Sequence, residues 1–303
     1  MSEQRAPLPS RLAPVPWLFV TIPILIWGGN VVAAKSAATD ISPMMLTTLR
    51  WFVVFAIIFV WSPSITPRAL REARPHWRYM LAMGAIGFTC ANALFFIGAR
   101  YTSGVNIAII PGVMPAFVLV GMWLFIGAKI SLLRATGAAI TILGVAVVAT
   151  KGDLTALSRL DLNRGDLLQM LGSALYAAFT IGLRKRPQLP AFPFFIGLAF
   201  SAMLTSLPLL GVEALLGESQ LPGWRGLAAL VFVAIFTSII GHSMWIKAID
   251  VIGPSRAGIF QNLTPIVGAA LSVLLLGEEF HLYHAASLGL VLGGIWVSER
   301  LAR

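Results

Sequence analysis

Few side chains in this 303-residue sequence could carry chemistry, and those that could sit inside long apolar runs. His242 lies beside Ser243, with Thr237 and Ser238 one turn earlier. Its unperturbed pKa of about 6.5 would permit proton coupling, while a neutral ring would simply hydrogen-bond. Arg50 falls near the middle of another apolar run. An ionisable group at that depth is expensive and must face the bundle interior or a cavity. Arg50 is therefore either a contact for a substrate carboxylate or a structural anchor bonded to helix-end carbonyls. Aromatic side chains crowd the same depth: Trp27, Phe95, Phe96, Tyr176, Phe179, Trp245 and Phe260. Those near Asn30, Asn92 and His242 suit stacking against an aromatic substrate, and the rest serve packing or mark the interface. Met83, Met114 and Met244 suit a pocket that accepts varied shapes.

The same residues exclude several activities. There is no phosphate-binding glycine loop, no serine–histidine–acid set and no pair of membrane-buried carboxylates. ATP-driven pumping and intramembrane hydrolysis are disfavoured accordingly, and the chain does not read as an enzyme. His281 and His284 have metal-like spacing with Glu278 nearby, but they fall at a membrane-exit turn with no further ligand cluster. No metal and no cofactor are expected. Cys90 is the single cysteine, which leaves no intrachain disulfide or thiolate cluster.

The elements that must hold these groups are membrane helices. With 58% hydrophobic and 11% charged residues, the chain has more apolar surface than a soluble domain of its size could hide. A spanning helix needs about 20 mostly apolar residues. Ten such spans are expected, near residues 15–38, 44–61, 77–100, 105–127, 132–150, 166–183, 192–216, 227–248, 257–276 and 284–297. No connector is long enough for a soluble domain. The net charge of +10 does not indicate nucleic acid, because the basic residues occupy short loops in a positive-inside pattern. Arg5, Arg11, Arg68, Arg71, Arg74, Arg78, Lys129, Arg134, Arg184, Lys185, Arg186, Lys247, Arg256, Arg300 and Arg303 would share one side, so both termini are expected in the cytoplasm. Arg5 and Arg11 before an apolar run imitate a signal peptide. A second-half counterpart of the segment from Trp27 to Lys35 argues against that reading.

That counterpart belongs to a longer duplication. A constant offset pairs Pro115 with Pro265, Leu124 with Leu274, Gly127 with Gly277, Gly144 with Gly294 and Val147 with Val297. At nearly the same offset Trp27 meets Tyr176, Asn92 meets His242 and Phe95 meets Trp245. Such self-similarity determines the architecture. Each copy has five spans, an odd number, so the second copy must run through the membrane in the opposite sense. The expected fold is an all-α integral membrane protein of two inverted-topology five-helix repeats. Residues 1–14 form a cytoplasmic leader, 15–150 the first repeat, 151–165 an external linker, and 166–303 the second repeat with a short tail. Inverted repeats place substrate at their interface near mid-membrane.

Broken helices point to the same place. Span four carries Pro111, Gly112 and Pro115, and span nine carries Gln261, Asn262, Thr264 and Pro265 at corresponding positions. Proline removes a backbone donor, and the freed groups must be covered by protein or line a wet cavity. Pro111, Pro115 and Pro265 are expected hinges. The candidate substrate-binding set is Trp27, Asn30, Asn92, Phe96, Met114, Tyr176, Phe179, His242, Trp245, Phe260, Gln261 and Asn262. In spans five and ten, Gly137, Gly144, Gly289, Gly293 and Gly294 suggest close packing, either as scaffold or as a homodimer face.

Several motifs resemble the drug/metabolite transporter superfamily along nearly the whole chain, specifically its ten-helix EamA-type family. They are WGGNVVAAK from Trp27 to Lys35, Pro43 followed by Leu49-Arg50, Ser103, Pro115 and Pro265, and LLLGEEF from Leu274 to Phe280 with Gly294 beyond it. The match looks close to the YddG-type aromatic amino acid exporters. One departure stands out: Gly277-Glu278 is present after span nine, but the turn after span four is Gly127-Ala128-Lys129. The resemblance implies a bacterial inner-membrane exporter that moves small molecules by alternating access. The favoured substrates are aromatic and other neutral amino acids; membrane lipid is the expected partner besides substrate, with spans five and ten as the candidate homodimer face. A broad-specificity drug or metabolite exporter is the same-fold alternative. A membrane enzyme or receptor-like protein would need a reactive cluster or a sizeable loop, and neither is visible.

Overall fold

The structure, a computed structural model, describes residues 15–153, 162–252 and 260–300. The leader 1–14, most of the linker, the expected start of span nine at Ala257 and the last three residues lie outside the described residues. Among the described residues every regular element is helical. Eight helices are long and apolar enough to cross a membrane, and two shorter apolar helices, Thr264–Leu276 and Leu282–Ser298, accompany them. This is a multi-span membrane protein.

Helix α1 covers Val15–Ala37 and α2 covers Pro43–Trp61, which starts with proline in its first turn, where the missing donor costs no bond. Helix α3 is a continuous series of helical turns, Ile65–Gly98, built from different windings, with His76 departing from helical backbone angles at φ −107° and ψ 20°. It begins with an amphipathic segment, Ile65–Ala73, and changes to a π-helix over Gly84–Cys90. The arginine-rich connector expected as a loop is thus helical. Its apolar positions recur at helical spacing, so Thr66, Ala69 and Ala73 are buried while the arginines face outward. Helix α4, Gly104–Ile126, passes through a 3-10 turn at Ile110–Val113 around Pro111. Helix α5 is Leu132–Ala149, α6 Arg164–Gly182 and α7 Ala191–Leu215. Helix α8 runs from Trp224–Val231 through a second π segment, Phe232–Gly241, into His242–Ile252. Helices α9, Thr264–Leu276, and α10, Leu282–Arg300, complete the described chain. Both α4 and α9 end on a left-handed glycine, Gly127 and Gly277, each with φ 68°, a conformation glycine reaches without steric cost.

The packing has an exchange symmetry. Helix α1 packs on α8 and α9, and α6 packs on α3 and α4; α2 packs on α7, α4 on α9 and α5 on α10. Replacing each helix by the one five places away returns the same set. The closest seam is α5 against α10. A Cβ on Gly137 would lie 2.5 Å from the Gly294 carbonyl oxygen, and Ser287 donates to the Gly144 carbonyl at 2.6 Å. These glycines serve contact within one chain, as small residues do where helix backbones approach closely.

One end of the bundle is sealed by charge-assisted caps. Lys35 donates to the Ala99 and Thr102 carbonyls at the end of α3 (3.1 and 2.6 Å), and Arg100 to Ala38 and Ile41 after α1 (2.9 and 3.3 Å). Glu213, from the end of α7, accepts from Ser42 Oγ at 2.5 Å and from the Met44 and Met45 N–H groups that start α2 (3.0 and 3.3 Å). Glu278, just past α9, accepts from the Gly104 and Val105 N–H groups that open α4 (2.7 and 2.9 Å). Asp40 accepts from Gly226 N–H near the start of α8 at 2.5 Å. Buried Asp166, in the first turn of α6, accepts from Thr102 and Asn106. Each bond satisfies a backbone or side-chain group that hydrocarbon would otherwise penalise.

Candidate functional site

The site is built around Arg50, only 3% exposed on α2. Its Nε donates to Ser238 Oγ of α8 at 2.8 Å, and its Nη1 to Asn92 Oδ1 of α3 at 2.6 Å. Its guanidinium also lies 4.9 Å from the Trp51 ring centroid. One side chain therefore ties α2 to a helix of each half.

Its partners are held by the two π segments. Asn92 follows the first and donates to the Gly87 and Phe88 carbonyls (3.3 and 2.8 Å); His242 follows the second, and its Nδ1 sits 3.0 Å from the Thr237 carbonyl. Ser238 donates five residues back, to Val233, at 2.7 Å. A π turn widens the helix and displaces carbonyls from the α-helical ladder, which is why such turns favour functional positions. Here polar side chains occupy the displaced carbonyls. Asn92 and His242, paired in sequence by the duplication, do the same local work in opposite halves.

Aromatic rings wall this polar centre. Trp27 of α1 contacts His242 edge-on at 5.9 Å and Trp245 at 5.2 Å between centroids. Phe195 of α7 stacks on His242 at 5.8 Å, and Phe88 approaches it at 6.3 Å. Phe88 also stacks on Trp51 at 4.7 Å and meets Phe179 of α6 at 5.4 Å, with Tyr176 beyond at 5.4 Å. A Cβ on Gly87 would collide with the Phe179 ring, so glycine there lets α3 and α6 close. Tyr176 and His242 both lie within electrostatic reach of Arg50. Asn30 stands at 3.5 Å from Thr237 Oγ1.

Of the residues expected from sequence, the structure brings together Trp27, Asn30, Arg50, Asn92, Tyr176, Phe179, His242 and Trp245. Phe96 is placed elsewhere, 3% exposed in the core formed with α1, α4 and α8. Phe260 packs on Trp17 at 5.5 Å, in a cluster with Val20, Ile24, Ala248 and Trp245. Gln261 is exposed, Asn262 half-buried, and Met114 half-buried at the restart of α4. Pro111 lies in the 3-10 turn, while Pro115 and Pro265 sit in the first turns of the helical stretches that follow. Met83 is core, packed against Gly182. His281 and His284 make a helix cap: the His281 N–H donates to His284 Nδ1 at 3.0 Å, a histidine form of the capping box. Sequence reasoning missed Trp51, Phe88 and Phe195. Trp51 directly follows Arg50 and Phe88 lies four residues before Asn92; Phe195 carried no signal, since only the fold brings α7 beside His242.

A cavity of about 380 Å³ opens between α2 and α8, lined by aliphatic residues and Trp61. Val60 and Trp61 on its wall are exposed, so this groove opens on the outside of the bundle, and Ser238 and Arg50 are not among its lining residues.

The chain is matched over residues 16–150 and 163–299 by the family described as the EamA-like transporter family. It is 26% identical over 253 residues to the "Uncharacterized transporter YyaM" of Bacillus subtilis, covering 82% of this chain and 81% of the relative. An "Uncharacterized transporter" of Archaeoglobus fulgidus is 25% identical, with 94% and 98% covered. A "Probable amino-acid metabolite efflux pump" of Salmonella typhimurium is 24% identical, with 91% of each covered. A solved structure titled "Crystal structure of protein" shares the fold with a TM-score of 0.65 at 18% identity, covering 95% and 98% of the two chains.

Proposed function

The chain belongs to the EamA-like transporter family, and from that premise we propose that it is a secondary transporter exporting amino acids and related metabolites across the bacterial inner membrane by alternating access. Aromatic and other neutral amino acids are the favoured substrates. One observation carries this reading: a buried arginine whose hydrogen-bond partners are neutral, set against an aromatic wall. Among the described residues no acid pairs with Arg50. A buried charge without a counter-charge is costly, and a substrate carboxylate would relieve it. The rings of Trp27, Trp245, Phe88 and Phe195 then offer the apolar surface for the side chain. The relative named as a probable amino-acid metabolite efflux pump supports the same substrate class.

The exchange symmetry of the packing and the two stretches matched by the family support ten spans in two inverted repeats. Arg68, Arg71, Arg74, Arg78, Lys129, Arg134, Arg184, Lys185 and Arg186 all lie toward the end away from the caps, which by the positive-inside rule faces the cytoplasm. The capped end is then the closed external gate, and the seam between α2 and α8 is the loose one. Opening would rock α1–α4 against α6–α9, with the turns around Pro111, Pro115 and Pro265 as hinges. A broad-specificity drug or metabolite exporter is the same-fold alternative, which the aliphatic groove between α2 and α8 would suit. Counterflow in liposomes of purified protein separates the readings, using phenylalanine, leucine and a cationic dye with and without a pH gradient. Amino acid flux is expected, and dye flux without amino acid flux would overturn the assignment.

A further inference from the structure

Between the start of α3 and the flank of α7 lies a second groove, of about 210 Å³, outside the central site. Its walls are apolar: Leu70, Trp77, Met80, Phe200 and Leu204 line it, and Arg74 is the charged residue on its rim. Leu204 is 40% and Trp77 54% exposed, so the groove opens on the outside of the bundle. Along α7 it runs from Gly197 to Leu204, about 10 Å of helix at 1.5 Å per residue. A channel of that direction and lining accepts an acyl chain.

The rim supplies the opposite chemistry. Arg71, Arg74 and Arg78 are exposed on consecutive turns, and the Arg78 guanidinium rests 5.4 Å from the Trp77 ring centroid. Glu72, the acid of this segment, is occupied by Arg68 at 2.9 Å. Trp61, Ile65 and Trp77 expose apolar surface on the same amphipathic turn region, the composition of a helix lying at a membrane surface. Three arginines with no acid partner among the described residues, above an apolar slot, match a phosphodiester carrying acyl chains. We propose that this groove binds an anionic phospholipid, its phosphate held by Arg74 with Arg71 and Arg78 alongside and one acyl chain lying between α3 and α7.

The test is native mass spectrometry of the purified full chain with phosphatidylglycerol and phosphatidylcholine of matched acyl chains. The wild type should retain phosphatidylglycerol in preference to phosphatidylcholine. R74Q/R78Q, altered at two exposed positions that leave the fold intact, should lower phosphatidylglycerol retention by roughly thirtyfold and leave phosphatidylcholine unchanged. The charge-matched control K129Q/R134Q, in the α4–α5 connection, should retain it fully, while L204W should reduce retention by filling the groove. Equal retention of the two lipids by the wild type overturns the proposal. So does a loss in the control as large as in R74Q/R78Q, displacement by soluble glycerol phosphate, or unchanged retention in L204W.

Discussion

Replacing Arg50 by methionine separates a substrate contact from a scaffold. The guanidinium donates to Asn92 and Ser238, yet Asn92 keeps its own donations to Gly87 and Phe88, and Ser238 keeps its donation to Val233. R50M therefore strands only acceptor lone pairs, which costs about 1–3 kcal/mol, and removes a buried cation whose own desolvation opposed folding. Folded yield should change little. The carboxylate contact is a different quantity. A hydrogen bond to a charged group contributes about 1.5–3 kcal/mol, so its loss should weaken phenylalanine by roughly 10- to 150-fold. Phenethylamine, which keeps the ring and lacks the carboxylate, should lose far less. Counterflow of both compounds in liposomes gives their ratio, in which effects common to the two cancel. Arg50→Lys, which retains charge but not the planar fork, should fall between. If R50M folds normally and keeps the wild-type ratio of phenylalanine to phenethylamine, Arg50 is scaffold and the proposed binding mode is wrong.

Trp245→Ala removes an edge-to-face partner of Trp27 and should raise KM for phenylalanine about 2- to 10-fold more than for leucine; equal shifts would take Trp245 out of the site. In the α5–α10 seam, Gly294→Leu drives a side chain toward Gly137 and Thr141, and overpacking of at least about 1–3 kcal/mol should lower the thermal midpoint. Gly289 faces open space, so Gly289→Leu in the same melting experiment should behave as wild type. Glu278→Gln weakens the cap on Gly104 and Val105. A loss of about 1–2 kcal/mol at the closed end should increase opening there about 5- to 30-fold, read as alkylation of Asn30→Cys, with Cys90 replaced by alanine, by an impermeant reagent from outside. Unchanged labelling would mean that Glu278 has no part in the seal.

Much of the architecture was legible because hydrocarbon is an unforgiving solvent. Long apolar runs can only be helices there, so the spans emerged nearly where α1 to α8 lie, and the repeated Pro115/Pro265 and Gly127/Gly277 marked equivalent breaks and turns. Asn92 and His242 were legible as polar groups too costly to leave facing lipid. What periodicity misjudged was the arginine-rich stretch after Trp61. Its net polarity reads as a loop, yet Thr66, Ala69 and Ala73 recur at helical spacing and bury against α7.

Depth along a helix can be counted in residues, but azimuth cannot. Phe96 and Phe260 stand at plausible positions in the sequence and still point into other clusters, while Phe195, with no local signal, stacks on His242. Composition and repetition alone determined that the chain lies in a membrane and that its halves are related, and singled out Arg50, Asn92 and His242 as polar groups within its spans. Only the tertiary structure decided which faces meet: that Arg50 joins Asn92 to Ser238, that two π segments turn those groups inward, and that carboxylates from one half cap helices of the other. Those choices depend on helix rotation and winding, which no linear pattern encodes because they are fixed by contacts between residues far apart in the chain.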